Sequence, residues 1–274
     1  MIRIEKSVNL NRPENIKIKS VPSESFMLKK IFITLISGML TVSVNAQTAK
    51  EIIKKSDELA RGKSSRADVS MTVVKPEWRR EFSMKSWSLG TKYSMVYLTS
   101  PVKDKGTVTL MRDKEVWNYL PSVDKTIKIP SSMMMQSWMG SDFTNDDMVK
   151  QSSILDDYTH SMSGDSLIDG KLCWKITLTP KEEAAVVWGK IVIFISKEGY
   201  FQLESQFFDE EMVMIKKMKA SEIKWLGNRK LPSRLEMIPM DKPGQKTVFV
   251  YHSADFDVSM DESFFSQQNM KKVK

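Results

Sequence analysis

Residues 172–179 read Leu172-Cys173-Trp174-Lys175-Ile176-Thr177-Leu178-Thr179, and this octapeptide decides the fold class. Successive side chains of an extended strand point to opposite faces, so a period of two gathers Leu172, Trp174, Ile176 and Leu178 on one side. A helix would spread the same residues around its circumference. The rhythm returns where Tyr93, Met95 and Tyr97 alternate with Ser94, Val96 and Leu98. It returns again around Phe201, Leu203 and Phe207, and around Val248 and Val250. Alternation of this kind marks a sheet with one buried and one wetter face. Turn formers stand between the runs, among them Asp104-Lys105-Gly106, Asp169-Gly170, Lys197-Glu198-Gly199, Gly227-Asn228 and Lys242-Pro243-Gly244. Their spacing of about 8–12 residues fits hairpins rather than βαβ units. The expectation is a mainly β chain with short helices, built on an antiparallel meander.

Two segments break the strand rhythm. Thr48–Arg61 places Ala49, Ile52, Ile53 and Leu59 on one helical stripe with Lys and Glu opposite, and Gly62 is a stop signal. Pro130–Lys150 carries Met133, Met134, Met135, Trp138, Met139 and Phe143 in a connection that should be polar. Thr144 with Asp147 three residues on has the pattern of a helix capping box. This predicts a short helix or lid, a break at Gly140, and a second short helix from about Thr144. Large apolar side chains on such a connection either plug the sheet's concave face or gate an apolar ligand. The residues alone leave both readings open.

Towards the N-terminus, Met27–Gln47 reads MLKKIFITLISGMLTVSVNAQ. Lys29 and Lys30 precede an apolar stretch from Ile31 to Val42, and Val44-Asn45-Ala46 supplies the small residues of a cleavage site. The stretch is short of the roughly 20 apolar residues of a membrane-spanning helix. The expectation is export, cleavage before Gln47 and a periplasmic product with no lipid-bearing Cys at its start. Residues 1–26 are polar and aperiodic, and read as a leader outside the folded protein. Residues 47–274 then form one domain.

The chain's formal charge is +8, but the first 46 residues hold seven Lys/Arg against three Asp/Glu, which leaves +4 for the rest. No basic cluster has the form of a nucleic-acid footprint. Cys173 is the one cysteine, so no internal disulfide forms, and neither His160 nor His252 stands in a recognisable arrangement with it. The 20 methionines are many for a strand-rich chain and suit a wall that adapts to apolar partners. Asp142, Asp146 and Asp147 lack the spacing of a calcium loop. Asp156 and Asp157 read as a turn, and no nucleophile elbow, phosphate loop or dinucleotide fingerprint occurs. Catalysis has no positive support in these residues, and no cofactor is called for.

The run Val116-Trp117-Asn118-Tyr119-Leu120-Pro121, the strand Lys125–Ile129, and Met139-Gly140-Ser141-Asp142-Phe143-Thr144-Asn145-Asp146-Asp147-Met148 together resemble the outer-membrane lipoprotein-sorting protein family, the LolA/LolB-like periplasmic lipid carriers. The resemblance extends from the first helix to Phe264-Phe265. It implies an incomplete antiparallel β-barrel whose apolar concave face is covered by helices, with a cavity for acyl chains between. It also implies a non-enzymatic, monomeric carrier that takes a lipid or lipoprotein from an inner-membrane donor to an outer-membrane acceptor. Trp117 and Tyr119 of the first motif join the six apolar residues of Pro130–Lys150 as candidate lipid contacts. A lipid-responsive sensor or scaffold that binds a membrane protein is the alternative, and a hydrolase of envelope lipids or glycans a third reading.

Overall fold

A computed structural model describes residues 47–150, 153–184 and 186–274. The expected leader and signal segment lie outside the described residues. Thirteen strands form: β1 (Ser64–Val74), β2 (Arg79–Leu89), β3 (Tyr93–Ser100), β4 (Val108–Arg112), β5 (Glu115–Leu120), β6 (Lys125–Lys128), β7 (Tyr158–Ile168), β8 (Lys171–Pro180), β9 (Lys190–Ser196), β10 (Gln202–Phe208), β11 (Met214–Leu226), β12 (Arg229–Pro239) and β13 (Lys246–Phe256). They make one sheet in the order β6-β5-β4-β3-β2-β1-β13-β12-β11-β10-β9-β8-β7. Every neighbouring pair is antiparallel.

Two hairpin meanders are thus joined by a single distant pairing, β1 with β13, in which Ala67 faces Ala254 and Met71 faces Phe249. The sheet remains open, with β6 and β7 as its edges. Those two strands are consecutive in sequence. The described parts of the chain between them, residues 129–150 and 153–157, belong to the segment that crosses the concave face of the sheet.

Helix α1 (Ala49–Arg61) starts as its sequence predicts: the Thr48 hydroxyl accepts from the Glu51 backbone N–H, and the Glu51 carboxylate accepts from the Thr48 N–H. Gly62 ends it at a φ of 70°, a backbone shape that a Cβ disfavours. Ala49, Ile52 and Ile53 pack on Ile176, Leu178, Ile191 and Ile193 of β8 and β9. At its other end the Arg229 guanidinium donates to the Glu58 and Leu59 carbonyls at 2.9 and 2.8 Å. Asp257 holds that guanidinium at 2.6 Å and also accepts from the Lys63 N–H. These hydrogen bonds, the backbone one from Lys63 foremost, keep the Asp257 carboxyl below its ordinary range.

The sheet is not dry on one face only. At β3–β5 the convex side buries Tyr93, Met95, Leu110 and Trp117 beneath Phe265 and Met270 of the C-terminal segment, which includes the short helix α3 (Gln267–Met270). At β8–β10 it carries a second cluster of Cys173, Val192, Phe194 and Leu203. Strand β9 is in consequence buried on both faces from Ile191 to Ser196. Leu172, although it shares the parity of Trp174, Ile176 and Leu178, lies half in water. Strict alternation therefore identified the strands correctly but did not assign all of their faces.

Candidate functional site

The crossing segment is assembled from tight turns. A single 3-10 turn covers Ser131–Met133, a second covers Trp138–Gly140, and helix α2 follows at Asn145–Lys150. Met139 and Gly140 both take positive φ, 55° and 77°, which folds the chain back sharply enough for Ser137 to bridge Thr144. The Trp138 N–H donates to the Phe143 carbonyl at 2.7 Å and the Ser141 N–H to the Trp138 carbonyl at 3.0 Å, closing the loop. The capping box at α2 is present: the Thr144 N–H donates to Asp147 at 2.7 Å and the Asp147 N–H to the Thr144 hydroxyl at 3.0 Å.

Two aspartates fasten this lid to the sheet. Asp142 accepts from Lys75 at 3.1 Å, from the Thr247 hydroxyl at 2.7 Å and from the Gln245 side-chain amide. The Asp142 N–H donates to the same Thr247 hydroxyl. Asp147, besides capping α2, pairs with Lys216 of β11 at 2.6 Å. Lys216 in turn lies 4.9 Å from the Trp188 ring centre, so its charge is compensated on two sides in a nearly buried position. Two aromatic contacts complete the attachment, Trp138 stacked on Phe249 and Phe143 edge-on to the same ring.

Between lid and sheet lies a hollow in two adjoining compartments. The first, of about 240 Å³, is under the lid and is bounded by Trp138 and Phe143, by Met84, Met218 and Met237, and by Trp188 of the β8–β9 connection. The second, of about 330 Å³, runs beneath the C-terminal half of α1, past Leu59 and Arg61, to Leu226 and Leu231. Ser86, Val96, Gln202, Met218, Leu235 and Tyr251 border both. Sites for small molecules span about 300–1,000 Å³ and are mostly apolar with a few polar groups. This hollow has both properties. Among the described residues no group of His, Cys, Asp or Glu is placed to hold a metal, and no helix is long and apolar enough to cross a membrane.

The sequence-derived candidates separate into four sets. Trp138 and Phe143 line the hollow. Met134 and Met139 point to the sheet but pack on it, Met134 against Met111 and Val116, Met139 against the central core. Met133 and Met135 face water at 38% and 50% exposure. Trp117 and Tyr119 stand on the convex side with the C-terminal segment and border neither compartment. Sequence reading missed the strand residues that make most of the wall, such as Met84, Met218, Leu235, Met237, Phe249 and Tyr251. Their alternation is visible, but which parity faces the hollow depends on bulges, for example the register shift between Asp68 and Val69 opposite Tyr251 and Ser253.

A family model described as that of an uncharacterized protein matches residues 90–272. The chain belongs to this family. Three solved structures share its fold. A DUF1329 family protein from Desulfovibrio piger superposes with a TM-score of 0.74 at 20% identity, over 81% of this chain and 97% of that one. A domain assigned to outer membrane lipoprotein sorting from Vibrio parahaemolyticus gives 0.71 at 19% identity, over 81% and 98%. A LolA superfamily protein from Nitrosomonas europaea gives 0.69 at 20% identity, over 82% and 100%. No curated protein matches by sequence. At these identities the likeness is one of fold.

Proposed function

We propose that this LolA-like protein is a periplasmic carrier that shelters the acyl chain of a lipid or lipoprotein in the hollow and moves it between envelope membranes. The observation that carries the reading is the pair of adjoining compartments, one beneath the lid and one beneath the C-terminal half of α1. In this reading the segment Met27–Ala46 directs export, residues 47–274 are the carrier domain, and the protein works as a monomer between an inner-membrane donor and an outer-membrane acceptor. Trp138 and Phe143 touch the chain from the lid, and Met84, Met218 and Met237 from the sheet. Flexible thioether side chains adapt to a hydrocarbon whose path is not unique.

The driving force is transfer of hydrocarbon out of water. Each buried methylene contributes about 0.8 kcal/mol, offset by the ordering of the chain. Binding of this kind needs no reaction at the site; release needs a lid that opens or an acceptor that binds better. The direct test is solvent extraction of protein purified from its native host, followed by lipid mass spectrometry and by uptake of a fluorescent fatty acid. A defined acyl lipid is expected in stoichiometric amount. Repeated absence of any lipid, together with no uptake, would exclude a carrier.

A further inference from the structure

The polarity of the hollow is ordered along its length. Below the lid its wall is dominated by Trp138, Phe143, Ile191, Phe207, Met237 and Phe249. Beneath α1, Ser56, Ser65, Ser88 and Ser94 enter the lining together with Asp57 and Arg61. Ser86, Gln202 and Tyr251 stand where the two compartments meet. Arg61 is the one cationic side chain among the lining residues of either compartment, whereas Asp146 and Asp147 border the lid end.

The polar groups at the junction have capacity left. Among the described residues, the Tyr251 phenol and the Ser86 hydroxyl make no side-chain hydrogen bond, and neither is sealed away from space, since the one sealed and unpartnered polar atom is Arg80 Nε. Burial pushes the Tyr251 phenol above its ordinary range against the opposing influence of Arg61, so it keeps its proton as a donor. Arg61 gives Nε and Nη2 to Asp57 at 3.3 and 2.8 Å. A guanidinium has five N–H donors, so three remain. Polar groups that border an apolar hollow are costly to desolvate against plain hydrocarbon and are satisfied by a polar ligand.

Resting on the carrier reading, we infer that the second compartment is a head-group site for a phosphate-bearing amphiphile, with the tail under the lid and the phosphate among Arg61, Tyr251 and Ser86. Guanidinium and phosphate form charge-assisted hydrogen bonds, about twice as strong as neutral ones. Asp57 holds the guanidinium at the compartment wall rather than in the solvent.

The test compares two probes with the same tail, palmitoyl lysophosphatidylglycerol and monopalmitoylglycerol, each titrated below its micellar concentration into the purified protein. The phosphate-bearing probe is expected to bind about tenfold more tightly or better, the scale of one charged hydrogen bond. Arg61→Ala and Tyr251→Phe should each erode that preference, weakening the phosphate-bearing probe more than monopalmitoylglycerol; Arg61→Lys should keep part of it. Equal affinity for the two probes, or a preference that survives in both variants, overturns the head-group site while leaving the carrier reading intact. Binding of neither probe by a folded protein, judged by its thermal melt, overturns both.

Discussion

Asp142 shows how far a single side chain can be understood from its neighbours in sequence. Asp147 could be read as a cap because Thr144, its partner, is three residues away. Asp142 does something else. Its carboxylate, almost fully buried, gathers Lys75, Gln245 and Thr247 from two hairpin ends about the lid. None of these partners is near it in the chain, so no local pattern could have named them. Asp142→Ala leaves the Lys75 ammonium and the wholly buried Thr247 hydroxyl without their acceptor. Breaking a buried pair from one side costs about 3–5 kcal/mol, and the partial exposure of Lys75 moves the expected loss to about 2–3 kcal/mol. Urea unfolding measures it; a loss below about 0.5 kcal/mol would be that of an ordinary surface site and would show that the lid is held without Asp142. Asp142→Asn keeps an acceptor for Thr247 and should lose less.

At the scale of elements, the two covers of the sheet have different duties along their lengths. The N-terminal half of α1 is core: Ile52 and Ile53 are 1% exposed and pack on β8 and β9. Its C-terminal half is wall: Leu59, Ala60 and Arg61 border the second compartment. Ile53→Ala should therefore cost about 2–4 kcal/mol of stability, the usual range for truncating a buried aliphatic side chain, with little effect on ligand affinity in the protein that remains folded. Leu59→Trp should do the reverse, filling the second compartment and weakening uptake of acyl probes while the melting temperature hardly moves. If Leu59→Trp binds as the parent does, the space beneath α1 is not used by the ligand. The helix itself was legible from Thr48, Glu51, its apolar stripe and Gly62, all within one short stretch. The lid was legible as an apolar, broken connection, but its residues divide between hollow, core and solvent. That division accompanies the succession of tight turns between Ser131 and Asn145, including the positive φ of Met139 and Gly140, which composition alone does not encode.

At the scale of the molecule, one pairing and one gap determine what the sheet can do. The strands and most hairpins follow from local alternation and turn residues, which is why the fold class could be read. The β1–β13 pairing joins residues nearly a whole domain apart, and no local signal specifies it. Yet it places β6 and β7 at opposite edges and obliges the chain between them to cross the concave face. The lid is thus a consequence of the topology, and the same connection that covers the hollow must yield if cargo enters from the lid end. The route through that end is testable by closing it. Asp142 and Thr247 share two hydrogen bonds across the lid–sheet contact, so a Cys pair at these positions, with Cys173→Ser to remove the native thiol, replaces them with a reducible link. In the oxidised protein, exchange of a bound fluorescent fatty acid should slow sharply, and reduction should restore it. A control with Asp142→Cys alone separates loss of the ion pair from the crosslink itself. Unchanged exchange in the crosslinked protein would place the route instead at the far end, past Arg61 and the β2–β3 turn, where the second compartment reaches Ser88 and Thr91.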